Sequence, residues 1–308
     1  MKKLMVLAVL TVFVFYGLEV YAGGTGSTGW SILRRPQSSK PESITAVASI
    51  RGDLSGIFYN PSTLGTITRG EIFFLTELGM AEDQFQGAIF GYPLGKGGGI
   101  AMGYLSYDAG MTTLYWIDGG SEVEDNVSLQ KDSLALLSCG FSLSSHLSMG
   151  ISLKYATSNI AEQTPDTYAM CGDIGMIYTQ GVNGFSVSLA GQNLGTASKF
   201  LDETEELPMC AWLGVAYTHM LGTSNFFGLG VDAGYLLGES ERGFLPGVGL
   251  EYGMGDLSFN LGYYAMKTDE AGMQLGFGFT SGMIEVGYAY LPTQFLNPVH
   301  RFNLSFLF

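Results

Sequence analysis

HRFNLSFLF, residues 300–308, alternates strictly along its length. Phe302, Leu304, Phe306 and Phe308 fall on one side of an extended chain. Arg301, Asn303 and Ser305 fall on the other, with Leu307 the apolar exception. A period of two is the signature of a strand with two unlike faces. Working outward from this stretch, the same alternation fills the chain back to residue 71. It predicts strands over 71–78, 85–92, 134–143, 147–155, 167–178, 185–192, 209–219, 226–236, 244–252, 257–264, 272–279, 283–290 and 301–308, separated by polar turns. Segments of about ten residues suit strands that cross a bilayer at a tilt.

Residues 1–22 read as a secretory signal peptide. Lys2 and Lys3 are followed by an apolar run too short to span a membrane, and Val20-Tyr21-Ala22 supplies the small-residue cleavage pattern. No later stretch is long and apolar enough for a transmembrane helix. An exported chain of this kind can still enter a membrane as a closed barrel, in which every backbone group is paired. Composition agrees: only 14% of residues are charged, Gly numbers 45, and there are 17 Tyr and 20 Phe. A net charge of −14 argues against a nucleic-acid partner. Cys139, Cys171 and Cys210 are far apart and make no metal pattern, so they read as small packing residues.

Residues 99–116 admit two readings, a pair of strands joined at Asp108-Ala109-Gly110 or one strand bulged there. If Phe308 and the segment before residue 71 both lie at the periplasmic face, the strand number is even. One bulged strand gives fourteen. That choice places short turns at the periplasmic side and longer acidic loops (117–131, 157–166, 193–208 and 291–299) outside, the usual arrangement in such barrels. The expected fold is therefore all-β: a 14-stranded antiparallel transmembrane β-barrel over 71–308 in the bacterial outer membrane, with an N-terminal hatch over 23–70.

Alternation also assigns faces. Ile151, Leu153 and Tyr155 should meet lipid, which turns Lys154 inward. By the same parity Asp173, Asp232, Glu251 and Glu285 point into the lumen, since a charge facing lipid near the midplane is destabilising. These carboxylates read as lumen hydration or as partners for the basic hatch residues Arg34, Arg35 and Arg51, rather than as an acid/base pair. Gly95 to Gly99 lacks phosphate-loop spacing. No residue order suggests a catalytic triad, so no catalytic residue, cofactor or metal is expected.

Several stretches resemble known families. The terminal alternating strand ending in Phe308 resembles the closing strand of bacterial outer-membrane barrels, whose last aromatic is the signal read by the assembly machinery. DLSGIFYNPSTLG, residues 53–65, resembles the segment before the barrel in the PorV/PorQ family and, more distantly, in FadL-type transporters. Asp53, Asn60, Pro61 and Leu64 are the matching positions; locally, Asn before Pro initiates a turn. GQNLG at 191–195, Leu207-Pro208, GLEYG at 249–253 and His300-Arg301 extend the resemblance. The family's Met-Gly-Gly-Ala stretch is replaced by TAVAS at 45–49. The resemblance implies a non-enzymatic barrel that assists type IX secretion, receiving exported proteins from the translocon. Its alternative implication is a FadL-like transporter of hydrophobic small molecules such as fatty acids.

Overall fold

The computed structural model describes residues 30–33, 39, 54–79, 83–95, 97–160, 167–200, 203–204, 206–237, 244–264, 272–293 and 297–308. The expected signal peptide, Arg34, Arg35, Arg51 and Asp53 lie outside the described residues. Three short 3-10 helices, η1 (Ser31–Leu33), η2 (Leu54–Phe58) and η3 (Pro61–Thr66), precede the strands. These are β1 (Glu71–Leu78), β2 (Gln84–Pro93), β3 (Gly98–Asp108), β4 (Met111–Asp118), β5 (Ser121–Ser128), β6 (Gln130–Ser142), β7 (Leu147–Ile160), β8 (Thr167–Thr179) and β9 (Gly184–Ala197). Next come β10 (Lys199–Phe200), β11 (Glu203–Thr204), β12 (Cys210–Met220), β13 (Asn225–Leu236), β14 (Phe244–Met254), β15 (Leu257–Tyr264), β16 (Met273–Ser281), β17 (Ile284–Leu291) and β18 (Val299–Leu307).

Fourteen of these form one closed antiparallel barrel in the order β1-β18-β17-β16-β15-β14-β13-β12-β9-β8-β7-β6-β3-β2. The alternation of the sequence becomes an inside and an outside. Along β7, Ile151, Leu153 and Tyr155 are exposed while Ser152, Lys154 and Ala156 are buried. Large exposed apolar side chains recur in this way on the barrel strands, which is stable only in a bilayer. No helix among the described residues is long and apolar enough to cross a membrane. At the end of the barrel that carries Phe308, consecutive strands are joined by turns of two to four residues; the longer connections lie at the opposite end.

Closure joins β1 to β18 over Glu71↔Leu307 to Leu78↔His300. On the inner side of this seam Arg301 Nε donates to Glu77 Oε2 at 2.8 Å, and Nη2 reaches the same oxygen. Both residues are buried and stand directly opposite in register. On the outer side, Gly70 and Phe308 exchange both backbone hydrogen bonds at 2.9 Å. The Phe308 ring covers Gly70 and stacks against Phe90, with centroids 6.3 Å apart. Phe308→Ala is expected to weaken this closure by about 1 kcal/mol, the value of an aromatic pair. It should also lower the yield of heat-shifted, folded barrel on gels more than Phe279→Ala does. Equal yields for the two variants would remove any special role for Phe308 in assembly.

The stretch 99–116 is continuous in direction, with a kink at Asp108-Ala109-Gly110. Gly110 has φ +83°, and its N–H is held by Asp108 Oδ1 at 2.9 Å. The expected loop 117–131 is corrected, because Ser121–Ser128 is a strand. It pairs with β4 from Met111↔Ser128 to Asp118↔Ser121, and the hairpin projects beyond the barrel. Gly119 and Gly120, with φ +58° and +87°, supply the two-residue turn. The acidic β5 has a solvated composition, but Tyr115, Trp116 and Ile117 opposite it carry the strand preference. The expected loop 193–208 is corrected in the same way: β9 runs on to Ala197, and a short β10–β11 pair comes after it.

Candidate functional site

Residues 30–33 and 54–67 lie against the inner wall, and sequence chemistry explains how. Asn60 is fully buried and caps η3 in an extended conformation, with Pro61 at the first helical position. Its Oδ1 accepts from the Ser62 N–H at 3.1 Å and from Ser62 Oγ at 2.6 Å. Its Nδ2 donates to the carbonyls of Met176 (3.3 Å) and Leu189 (3.4 Å) on the wall. One side chain therefore both starts the helix and ties it to β8 and β9.

The wall beneath η3 has been cleared of side chains. Gly99, Gly140, Gly150 and Gly175 are consecutive cross-strand partners on β3, β6, β7 and β8, and Ala190 continues the row on β9. A Cβ at Gly150 would overlap the Pro61 carbonyl and lie 2.6 Å from the Ser62 nitrogen. One at Gly140 would lie 2.8 Å from both Leu64 Cβ and the Pro61 oxygen, and one at Gly175 would overlap Asn60 Oδ1. Leu64 fits into this groove with no exposure. The strand glycines are thus a seat, in which backbone approaches backbone.

Above the seat, a β-bulge shifts the register of β8 and β9 between Gly172 and Ile174. Asp173 then faces both Gln192 and Asn193, and Asn193 adopts φ +57°. The extra residue aims two successive amides inward, the re-aiming a bulge makes possible. Gln192 Nε2 donates to the carbonyls of Phe58 and Tyr59, each at 2.9 Å, while its Oε1 accepts from Trp212 Nε1 at 2.9 Å. Asn193 Nδ2 donates to the carbonyls of Leu33 (3.2 Å) and Pro208 (3.0 Å). Behind it, Lys154 Nζ lies 2.7 Å from Asp173 Oδ2 and donates to Asn193 Oδ1 at 3.0 Å. The Asn193 N–H donates to Asp173 Oδ1 at 2.8 Å. Nearer the projecting hairpin, Ser31 Oγ donates to Asp132 Oδ2 at 3.1 Å, and Ser158 Oγ to Oδ1 at 2.6 Å.

Among the sequence-derived candidates, Lys154 and Asp173 come together in this clamp, and Asn60, Pro61 and Leu64 form the seat contact. Asp232 is buried on the inner face of β13, while Glu251 (β14) and Glu285 (β17) are half-buried on the same side. The pairing expected for Arg34, Arg35 and Arg51 falls outside the described residues. Asn193, Gln192, Asp132 and Glu77 are not singled out by the sequence. GQNLG carries only a resemblance, and the loss of alternation at Gln192-Asn193 is the available signal of a bulge. His146, His219 and His300 stack on Tyr178, Tyr217 and Tyr288. Among the described residues no group of three His, Cys, Asp or Glu could hold a metal ion.

No family model matches the chain, and no curated protein matches it in sequence. Its fold is shared with solved structures. The Pseudomonas putida toluene transporter TodX matches with TM-score 0.56 and 12% identity, over 94% of this chain and 98% of TodX. The Ralstonia pickettii toluene transporter TbuX matches with TM-score 0.54 and 13% identity, over 89% and 100%. A Pseudomonas aeruginosa FadL homologue matches with TM-score 0.52 and 10% identity, over 87% and 97%. The molecule is a membrane-spanning β-barrel of the bacterial outer-membrane type.

Proposed function

We propose that this barrel carries small hydrophobic molecules across the outer membrane, with the segment before residue 71 acting as a hatch at the periplasmic side. The observation that carries the reading is the lining. A water-filled barrel is polar inside. Here one side of the lumen is apolar: Phe73, Leu75, Phe85, Ile89, Leu105, Leu134 and Leu136 on β1, β2, β3 and β6 point inward and pack in one cluster with Trp30, Ile32, Leu54 and Ile57 of the inner segment, while Ser152, Asp232 and Asn303 make the wall elsewhere polar. Shifting that segment would expose apolar wall to water. A hydrophobic ligand that takes its place offsets the loss, so opening is coupled to the ligand. The structural neighbours named as toluene transporters support the same reading.

The PorV/PorQ-like role in handing exported proteins to the surface is the second reading. Its motifs do not separate the two. Asn60-Pro61 and Gln192-Asn193 hold the inner segment, which either function needs. The projecting hairpin favours a protein partner, since Met111, Tyr115 and Ile117 are well exposed on it. The test is entry of toluene and of glucose into proteoliposomes containing the full chain. Faster toluene entry at unchanged glucose entry is expected. Equal entry with and without the protein, together with loss of surface-displayed proteins in a deletion strain, would replace the transport reading with the secretion reading.

A further inference from the structure

We propose that the outward face of β2, β3, β6 and β7 holds the sugar headgroup of an outer-leaflet glycolipid. The observation is where the polar residues stand. On β7 the lipid-facing Ile151, Leu153 and Tyr155 are followed, on the same face, by Thr157 and Asn159. About 9–11 tilted residues cross a bilayer, and β6 and β7 have 13 and 14. Their ends therefore rise above the hydrocarbon on the side of the longer connections, the outer side in barrels of this type. Register makes two polar rungs of these ends. Gln86, Ser106, Ser133 and Thr157 form the lower one, and Gln84, Asp108, Lys131 and Asn159 the upper. Phe85, Leu105, Asp132 and Ser158, which alternate with them, are buried inside, so the rungs face outward. Among the described residues the opposite arc differs: the outward side chains nearest the same end of β13–β16 are Tyr235, Phe244, Tyr263 and Met273, all apolar or aromatic.

The order of chemistry along this face matches such a lipid. Just below the lower rung, Tyr104, Ala135 and Tyr155 are consecutive in register and exposed. Neighbouring strands lie about 4.8 Å apart, so the two tyrosines start about 10 Å apart across an alanine, room for one sugar ring. Tyr168, on the side of Tyr155 away from Ala135, stacks on that ring with centroids 6.2 Å apart. A pyranose offers C–H faces to aromatic rings and hydroxyls at its edge. Above the slot, Ser133 and Thr157 share one hydrogen bond at 2.7 Å and keep further donor and acceptor capacity. The amides of Gln84 and Gln86 are exposed beside them. Lys131 stands opposite Asp108, so the two rungs carry no net charge, which suits hydroxyls better than a phosphate. Below the slot, Met102, Leu137 and Leu153 form the next outward rung, where the acyl chains of the same lipid would lie.

The test uses dioleoyl lipids with three heads, diglucosyl, phosphoglycerol and phosphoethanolamine, titrated onto the full chain in detergent and counted by native mass spectrometry. The diglucosyl lipid should bind about tenfold tighter than either phospholipid, as one or two net hydrogen bonds imply. Ala135→Phe fills the slot between the tyrosines and should abolish that preference. Ala211→Phe, at an exposed outward position on β12, should retain it. Gel mobility before and after boiling checks that both variants fold, and the wild-type comparison stands without them. Equal binding of the three lipids, or the phosphoglycerol lipid binding as tightly as the diglucosyl one, would overturn the proposal, the latter by showing that charge alone is read. A preference unchanged in folded Ala135→Phe, or lost equally in Ala211→Phe, would overturn it too, because the slot would then not be the site. None of these results bears on transport through the lumen, since the patch lies on the opposite face of the wall.

Discussion

Gly150→Leu is expected to unseat the inner segment while leaving the barrel closed. A Cβ at this position overlaps the Pro61 carbonyl, and the atoms in its way are backbone rather than the end of a flexible side chain. Overpacking against fixed atoms costs about 1–3 kcal/mol even in an adaptable core, and a leucine needs far more room than one methyl. The strain can be relieved only by lifting η3 off the row Gly99, Gly140, Gly150 and Gly175. The Asn60 bonds to Met176 and Leu189 then break. Small polar solutes should leak through the variant in vesicle-swelling measurements, with the heat-shifted mobility of a folded barrel retained. Gly228→Ala is the control, since its new Cβ would make only an ordinary 3.6 Å contact with Glu251. A folded Gly150→Leu barrel no leakier than this control would show that η3 does not block the path.

Lys154→Met should be among the most destabilising single changes in the barrel, and removing Asp173 as well should restore most of the loss. The Lys154 and Asp173 side chains are 4% and 0% exposed and 2.7 Å apart. Removing one charge strands the other in a dry wall, which costs about 3–5 kcal/mol, whereas replacing both by apolar groups is often close to neutral. The pair also supports Asn193, whose oxygen accepts from Lys154 and whose amide reaches the Leu33 carbonyl. Urea unfolding in lipid vesicles reads the stability, and the double variant Lys154→Met/Asp173→Leu tests the asymmetry. A loss in the double variant equal to the sum of the losses in Lys154→Met and Asp173→Leu would mean that the two residues act separately and not as a pair.

Some of this architecture is written locally. Whether Ser152 or Leu153 meets lipid depends on the pleat, because successive side chains leave opposite faces whatever the strand pairs with. The run 147–155 therefore sorts itself, as does 300–308; the count of fourteen needed, in addition, both ends of the barrel placed at one face and the sorting of short from long connections. Asn60-Pro61 is also a local statement, since the proline holds the preceding residue out of the helical region and the asparagine caps the helical turn that begins at Pro61.

The strand Ser121–Ser128 was not legible. Glu122, Glu124 and Asp125 describe a solvated loop, and the residues that make it a strand are Tyr115, Trp116 and Ile117 across the Gly119-Gly120 turn. The clamp was hidden for a related reason. A bulge is a mismatch between two strands, and no single strand shows that Gln192 and Asn193 must share the place opposite Asp173.

By itself, then, the sequence determined the barrel strands, their two faces and the barrel class, because the alternation that marks them depends on neighbours two residues apart. Only the tertiary structure decided which glycines line up beneath η3, that Lys154 closes on Asp173 and Asn193, and that Arg301 meets Glu77. The physical reason is range. Gly99, Gly140, Gly150 and Gly175 have no regular spacing along the chain and become neighbours only through register, and Glu77 and Arg301 touch only because the sheet closes on itself.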